Sequence, residues 1–461
     1  MFIRQFFVKG LAHASYLVGC VSSGVCVVID PKRDVADYLE VTQEEGMKLT
    51  HIFETHLHAD FVSGHLELAN KTGARVYVPA AAQVGYEHVP IREGDEISLG
   101  TLRVRIIGTP GHTPESVCLA VSDTTRSVDP WVIFTGDTLF VGDVGRPDLF
   151  GPERARELAA SLYQSLHNKL LKLPDSVEVY PAHGAGSLCG RSIGSKQSST
   201  IGFERLFNYA LQPRSQDDFI ELLIHNMPSA PAYFKFDTEL NRKGPKLLMT
   251  LAEPKSISPR ETQEMVKKDN IILIDTRAGA IFGEAHIPGS LNIGLSPQFP
   301  TWVGTVIDPE KPLLFLLSKD ENLKEVRLHL ARIGFDNLLG FVAGGITAWQ
   351  DAGLPVSSLP HINVSELKEL LKTRKDMLVL DVRSDAEWRA GHIKDAAHIP
   401  LKEVEERYPE MARDRATAVI CGSGYRSSIA ASILEKSGLK KLCNVTGGMG
   451  AWKTAGYETV A

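Results

Sequence analysis

Thr55-His56-Leu57-His58-Ala59-Asp60-Phe61 follows directly on the strand-like run Leu49-Thr50-His51-Ile52-Phe53. A strand that delivers two imidazoles and a carboxylate within five residues sets them at a loop mouth, within reach of solvent and of a metal ion. Three more clusters of this kind lie downstream: Gly111-His112-Thr113-Pro114, Thr135-Gly136-Asp137-Thr138 and Pro181-Ala182-His183-Gly184. One such histidine ordinarily satisfies a turn backbone. Four ordered clusters, each behind a strand candidate, predict a shared metal centre at one end of the sheets.

The remaining signals bound the class. A chain of 461 residues exceeds one hydrophobic core, so two or three domains are expected. Composition is that of a globular protein, 43% hydrophobic and 23% charged. Net charge is −6 with both signs interspersed, which argues against a nucleic-acid surface. No apolar run reaches the roughly 20 residues that span a bilayer, so no membrane association is expected. Leu17-Val18-Gly19-Cys20 looks superficially like a lipoprotein cleavage site. Lys9, His13, Ser15 and Tyr16 break the apolar region such a signal needs, and the segment reads as strands Phe2–Val8 and Ser15–Gly19. Cys20, Cys26, Cys118, Cys189, Cys421 and Cys443 show no paired spacing. A reducing cytoplasm fits, and each thiol is judged as a possible nucleophile.

Strand candidates continue at Val25–Ile29, Leu49–Glu54, Arg75–Val78, Leu102–Ile107, Val132–Phe134 and Val177–Tyr180. Helix candidates are Ala36–Glu45, Gly64–Thr72 and Glu153–Leu171; the last carries Leu158, Leu162, Leu166 and Leu170 at helical spacing. Pro245 to Arg260 forms a joint, and beyond it the chain repeats. Ile271–Arg277 matches Met377–Arg383, Glu284-Ala285-His286-Ile287 matches Ala390-Gly391-His392-Ile393, and Gly344–Trp349 matches Gly447–Trp452. The predicted class is multidomain α/β, with one domain over residues 1–250 and two small parallel-sheet copies over 260–356 and 360–461.

The four metal-type clusters resemble the metallo-β-lactamase superfamily, over essentially all of residues 1–210. The resemblance implies an αββα sandwich with the site at one edge. Dinuclear zinc hydrolases of the superfamily place a histidine where this chain has Phe61, which has no lone pair to give. That implies a mononuclear site, or at least one poor at holding two ions. Two histidines and one carboxylate with open positions are the pattern of non-haem Fe(II) oxygenases, and persulfide dioxygenases are that branch. Their single iron maps onto His56, His112 and Asp137, with His58, Asp60 and His183 as the groups that orient ligands and bind water. The loop Val141–Leu149 resembles theirs, and Arg146 either positions a thiol substrate's carboxylate or braces the loop. Tyr180 and Arg191 are weaker substrate-binding candidates. Cys189 either exchanges with a persulfide or is a small buried residue.

In the second repeat, Thr417–Ile420 delivers Cys421-Gly422-Ser423-Gly424-Tyr425-Arg426, followed by a helical pattern. A Gly-rich loop at a helix N-terminus turns backbone N–H groups inward as an anion cradle and favours a thiolate. Arg426 stands five residues after the cysteine, one fewer than in cysteine phosphatases. The tighter loop suits a cysteine persulfide, and Cys-x-x-Gly-x-Arg resembles rhodaneses, as do Leu380–Arg383, Gly391-His392-Ile393 and Gly447–Trp452. Cys421 and Arg426 are the expected catalytic pair, with Gly422, Ser423, Gly424 and Tyr425 lining the cradle. The first repeat reads Leu317-Ser318-Lys319-Asp320-Glu321-Asn322 at this place, without thiol or arginine, and is expected to be inactive.

The chain as a whole resembles bacterial persulfide dioxygenase–rhodanese fusions. This implies O2-dependent oxidation of a thiol persulfide (glutathione, coenzyme A or bacillithiol type) to sulfite, with thiosulfate, sulfite and persulfide interconverted at Cys421. One Fe(II) per first domain and a homo-oligomer are expected. A glyoxalase-II-like zinc thioester hydrolase, sharing fold and histidines, is the alternative. A non-catalytic sulfur carrier is a third, opposed by the intact His56/His112/Asp137 set.

Overall fold

The computed structural model describes every residue except Asn226, Pro228, Ser229, Asp269 and Arg413. The chain divides into two units, Met1–Leu251 with Ala331–Gly334, and Ala252–Leu330 with Phe335–Ala461.

The first unit holds two six-stranded sheets. One runs in chain order from β1 (Phe2–Val8) through β2 (His13–Cys20), β3 (Val25–Ile29), β4 (Lys48–Phe53) and β5 (Arg75–Pro79) to β6 (Val89–Ile91). The other comprises β7 (Glu96–Leu99), β8 (Leu102–Gly108), β9 (Val117–Asp123), β10 (Val132–Gly136), β11 (Glu178–Pro181) and β12 (Ser199–Thr200). Tyr16, Val18, Val27, Ile29 and Phe53 from the first sheet bury against Val104, Ile106, Leu119, Val121 and Phe134 from the second. The opposite faces are apolar too. Leu17, Cys26 and Val28 pack with Tyr38, Val41 and Leu68 of helices Ala36–Glu44 and His65–Thr72. Cys118, Ala120 and Ile133 pack with Leu162, Leu166, Phe219 and Leu223 of helices Pro152–Asn168 and Gln216–Ile224. Strands covered on both faces read as near-continuous apolar runs, and the layers are helix, sheet, sheet, helix, as expected.

Strand direction explains where the site forms. β8 and β9 are antiparallel, β9 and β10 are antiparallel, and β10 and β11 are parallel. The C-terminal ends of β8, β10 and β11 therefore open at one edge, where His112, Asp137 and His183 follow. In the first sheet β3 and β4 are parallel, and their ends carry Asp30 and the His56 motif.

The second unit holds two five-stranded sheets of the same topology. The first contains β13 (Lys255–Ile257), β14 (Ile272–Asp275), β15 (Leu291–Asn292), β16 (Leu313–Leu316) and β17 (Leu338–Val342). The second contains β18 (His361–Ile362), β19 (Leu378–Asp381), β20 (Ala397–His398), β21 (Thr417–Ile420) and β22 (Leu442–Val445). All strand pairs in these sheets are parallel. Asp275 pairs with Leu316 and Asp381 with Ile420, so the register sets Leu317 opposite Cys421 in the repeat. Among the described residues no helix is long and apolar enough to cross a membrane, and all six cysteines are unpaired.

Several elements differ from the sequence expectation. Strand β9 and the helices Ile201–Phe207, Gln216–Ile224 and Tyr233–Lys243 had no expected counterpart. Strand β9, fully buried on both sides, has no alternation to show. Helix Pro152–Asn168 ends three residues before Leu171, the last turn being replaced by a short 3-10 turn at Leu170–Lys172.

Candidate metal centre and the cysteine loop

One ligand atom from each of His56, His112 and Asp137 lies within 4.8 Å of the other two, and all three residues are buried. Asp137 Oδ2 stands 3.8 Å from His56 Nε2 and 3.4 Å from His112 Nε2. Gly136 makes the approach possible. Its φ is +50° and a Cβ there would lie 2.5 Å from Thr55 Oγ1, so another residue would push the Asp137 loop off the His56 loop.

Hydrogen bonds behind the ligands decide which nitrogens face the centre. The Thr55 hydroxyl donates to Asp30 Oδ2 at 2.9 Å, and its oxygen therefore accepts from His56 Nδ1 at 2.9 Å. His112 Nδ1 donates to the Arg146 carbonyl at 2.9 Å. Both rings then turn an unprotonated Nε2 inward. Burial holds the pKa of both imidazoles below the usual value, helped at His56 by neighbouring His58. Burial opposes ionisation of Asp137, but the charge and hydrogen bond of His183, with His112 and His56, hold its carboxyl far below the ordinary range. Two neutral imidazoles and one carboxylate are the charge states a metal ion needs. His112 Nε2 and Asp137 Oδ2 are buried with no hydrogen-bond partner, as unspent ligand atoms would be. The residues present fit a bound metal.

His183 has a different state. Its Nδ1 donates to Asp137 Oδ1 at 2.7 Å, and its Nε2 lies 2.8 Å from Asp60 Oδ2. Burial disfavours its charge, yet Asp137 and Asp60 together raise its pKa well above the usual value. His183 is thus an imidazolium between two carboxylates. His58 is also raised, against burial, by Asp30 at 3.1 Å and Glu54 at 3.5 Å. Phe61 is buried with its ring 3.8 Å from His13 and 4.3 Å from His58. The position expected to be empty of a donor does hold an aromatic ring, but Cys189 sits close by. Ligand atoms of Asp60, His183 and Cys189 all lie within 4.8 Å of one another. Burial, then Asp60 and Asp137, push the Cys189 thiol well above its normal pKa, which keeps it protonated in the metal-free protein.

The arginines and tyrosine nominated for substrate have other partners. Arg146 is 1% exposed; its guanidinium bonds both oxygens of Asp148, at 2.7 and 2.8 Å, and the Leu188 carbonyl. Of the two roles left open for it, these are the contacts of a loop brace. Arg191 bonds the carbonyls of Leu222 and His225, tying its loop to the end of helix Gln216–Ile224. Tyr180 lies between the sheets against Tyr16 and Phe134, its hydroxyl donating to Glu178. The contacts of all three side chains share a cause. A long cation or phenol near a site in sequence finds the nearest acceptor in space, and here that acceptor is the protein.

Some positioning residues had no sequence signal. Asn241 Nδ2 bonds the carbonyls of His58 and Phe61 at 2.9 and 2.8 Å, while its Oδ1 accepts from Ser63 N. It clamps the motif loop from a helix about 180 residues away, a contact no local pattern announces. Asp143 accepts from Arg191 N, Ser192 N and the Tyr209 hydroxyl and holds the following loop. His13, wholly buried against Phe61, His58 and His183, is the other addition.

In the second unit Cys421 is 0% exposed, at the end of β21. Its Sγ accepts from Gly424 N at 3.1 Å and from the Ser427 hydroxyl at 3.4 Å. Gly422, Ser423 and Gly424 form the loop into helix Tyr425–Lys436, and Gly447 N and Gly450 N bond the carbonyls of Ser423 and Gly422. Tyr425 does not line the loop interior: its hydroxyl donates to Gly294 of the first copy at 2.6 Å. Arg426 is gripped by Glu387, each terminal nitrogen 2.7 Å from a carboxylate oxygen. The expected partner of Cys421 thus gives its guanidinium to a carboxylate.

Fold and ligand set define a metal-binding metallo-β-lactamase-type domain joined to rhodanese-like domains. A sequence model of the metallo-beta-lactamase superfamily matches residues 8–183, and one of the rhodanese-like domain matches residues 258–352 and 363–455. The mitochondrial persulfide dioxygenase ETHE1 of Mus musculus is 30% identical over 228 residues, covering 49% of this chain and 82% of that protein. A hydroxyacylglutathione hydrolase of Methylobacterium sp. (strain 4-46) is 35% identical over 39% of this chain and 66% of its own. The crystal structure of a metallo-beta-lactamase from Staphylococcus aureus subsp. aureus COL matches with a TM-score of 0.66 at 32% identity, covering 74% of this chain and 99% of that one. The chain belongs to the metallo-beta-lactamase superfamily, in the family of the persulfide dioxygenases, extended by two rhodanese-like domains.

Proposed function

We propose that residues 1–250 form a mononuclear Fe(II) persulfide dioxygenase, that residues 260–356 are an inactive rhodanese-like copy, and that residues 360–461 transfer sulfane sulfur through Cys421. The net first reaction joins a low-molecular-weight thiol persulfide, O2 and water to give sulfite and free thiol. The observation that carries it is the convergence of two neutral imidazoles, His56 and His112, with the Asp137 carboxylate. Iron held there supplies Lewis acidity and one-electron exchange with sulfur and oxygen. Thr55 and the Arg146 carbonyl keep the two rings oriented. His183 fixes Asp137 and holds a proton at Nδ1 and Nε2, within reach of the carboxylates of Asp137 and Asp60. Arg146 and Arg191 we assign to bracing the loops around the site.

At Cys421 the thiolate attacks the outer sulfur of thiosulfate. The S–S bond breaks with its electron pair leaving on sulfite, and Cys421 becomes a persulfide that a thiol or sulfite then takes. The Gly424 N–H points at the Cys421 sulfur from 3.1 Å. Six unpaired thiols support a cytoplasmic setting, and a homo-oligomer is part of the proposal, to be read by sedimentation.

Oxygen uptake with glutathione, coenzyme A and bacillithiol persulfides, together with metal analysis, tests this reading. Uptake with one iron per chain is expected; two zinc ions and no uptake overturn it. The second reading, a zinc thioester hydrolase, is favoured by the Asp60, His183 and Cys189 group, which gives a second ion three donors despite Phe61. Thioester hydrolysis without oxygen uptake is its signature.

A further inference from the structure

Arg426 is the residue expected to receive an anion beside Cys421, and it is already occupied. Both terminal nitrogens fork onto Glu387 at 2.7 Å, and its guanidinium carbon lies 5.9 Å from the centre of the Trp302 ring of the first copy. The pair lies over the start of the loop: a Cβ at Gly422 would be 3.1 Å from Arg426 Nη2 and 3.7 Å from Glu387 Oε1. Glu387 is not there by chance of rotamer. It is the third residue of helix Asp385–Arg389, and Ser384 caps that helix reciprocally, its N and Oγ both donating to Glu387 Oε2. Burial opposes its ionisation, but Arg426 pulls its pKa down to about 2, so it is a carboxylate at any working pH.

The internal repeat separates fold from chemistry. Both copies keep the buried Asp–Arg pair, Asp275 with Arg277 and Asp381 with Arg383. Both keep an aromatic ring stacked on a histidine, Phe282 on His286 at 3.8 Å and Trp388 on His392 at 3.5 Å. The first copy has Leu317 for Cys421 and Asn322 for Arg426, and it also has Ile281 for Glu387 and Ala278 for Ser384. Glu387 and its cap thus occur in the copy with the cysteine and not in the other, which places Glu387 with the reactive set.

We propose that Glu387 is a specificity-determining residue of the Cys421 site, competing with sulfur oxyanions for Arg426. Free thiosulfate or sulfite brings like charge against Glu387 and must displace it from the guanidinium. Sulfane sulfur carried on a thiol needs no such exchange. The site therefore discriminates against dilute oxyanions in favour of thiol-bound sulfur.

This rests on Cys421 being the transfer nucleophile, so the test has one arm without turnover. In the full-length chain carrying Cys421→Ser, thiosulfate affinity is measured by calorimetry with and without Glu387→Gln. An increase of about fivefold is expected, the scale of a partly exposed ion pair. In chains with Cys421 intact, Glu387→Gln lowers KM for thiosulfate by a similar factor with kcat held, leaves a thiol persulfide donor unaffected, and Glu387→Asp stays near the wild type. Unchanged or weaker thiosulfate binding overturns the proposal, and so does an equal loss of kcat with both donors. Should the Gln variant not fold, Ser384→Ala, which removes one donor to Glu387 together with the cap of its helix, moves KM in the same direction; a rise overturns. Full transfer by Cys421→Ser instead refutes the nucleophile and leaves the calorimetric comparison standing.

Discussion

His183→Ala in the metal-free protein probes the buried charge network most directly. The imidazolium bonds Asp137 at 2.7 Å and contacts Asp60 at 2.8 Å, and no side chain of the three is more than 6% exposed. Its removal strands two carboxylates in a site with little water. Breaking a buried ion pair by deleting one partner costs about 3–5 kcal/mol. For a unit of this size about 2–4 °C of Tm accompanies each kcal/mol, so chelated protein should lose about 6–20 °C. Metal binding compensates the Asp137 charge, so the loss shrinks in loaded protein, while metal affinity falls about 10–100-fold. The pH course follows from the two shifts. A raised histidine pKa contributes stability that is complete below about 6.5 and fades as pH climbs through its folded value. A depressed aspartate pKa contributes above about 4 and fades on acidification. The gap between wild type and variant should be flat between those limits and narrow outside them. Differential scanning calorimetry of full-length chains, chelated and loaded, reads all of this. Equal melting of chelated wild type and His183→Ala would refute the charge network as described.

Asp137→Asn removes the charge that both Nε2 atoms face, and the bound metal measured after dialysis should drop below a tenth of the wild-type occupancy, about 1.4 kcal/mol or more. Phe61→His adds a donor beside Asp60, His183 and Cys189; the metal-to-chain ratio should rise, and an unchanged ratio and affinity would show that Phe61 does not limit the site to one ion. Arg146→Ala leaves Asp148 unpaired and the Leu188 carbonyl free; Tm should fall while KM for thiol persulfide changes less than about threefold, whereas a dominant rise in KM would return Arg146 to substrate binding. Cys421→Ser should abolish thiosulfate-dependent transfer and leave persulfide-dependent oxygen uptake intact, which paired assays on one preparation check.

The ligand loops were legible because each combines a rare residue type with a strand end. His56, His112, Asp137 and His183 carry that signal in the chain itself, and parallel strand direction then brings the loops to one edge. The repeat was legible for the same reason, since Asp-x-Arg, Gly/Ala-His-Ile and Gly-Gly-x-x-x-Trp recur in order. What was not legible is long-range pairing. Nothing around Asn241 distinguishes it from any helical asparagine, yet it holds the carbonyls of His58 and Phe61. Arg191 advertised a substrate and found carbonyls instead, and Arg146, open to substrate or bracing, bonds Asp148 and the Leu188 carbonyl. Cys189 stands six residues after His183, and only the turn Gly184–Leu188 folds its sulfur back toward Asp60.

The first rhodanese-like copy has Leu317 where the second has Cys421, and its contacts bear on the other copy. Asn292 N bonds Ser432 Oγ at 3.0 Å, and Asn292 Oδ1 accepts from the Ser428 hydroxyl at 2.6 Å, both serines lying on the helix that starts at the Cys421 loop. The Gly294 carbonyl takes the Tyr425 hydroxyl, and His286 pairs with Glu435 at 2.8 Å near the helix's far end. The helix is thus held along its length by the copy that lost its thiol. Helix Tyr425–Lys436 buries residues nearly all round and has little amphipathic bias of its own. Such a helix needs cover on its outer face as well as the sheet beneath. A copy that kept its sheet and its Asp–Arg pair while losing cysteine, arginine and glutamate would still provide that cover. The surface of the first copy that covers this helix is thus part of what holds the Cys421 loop in place.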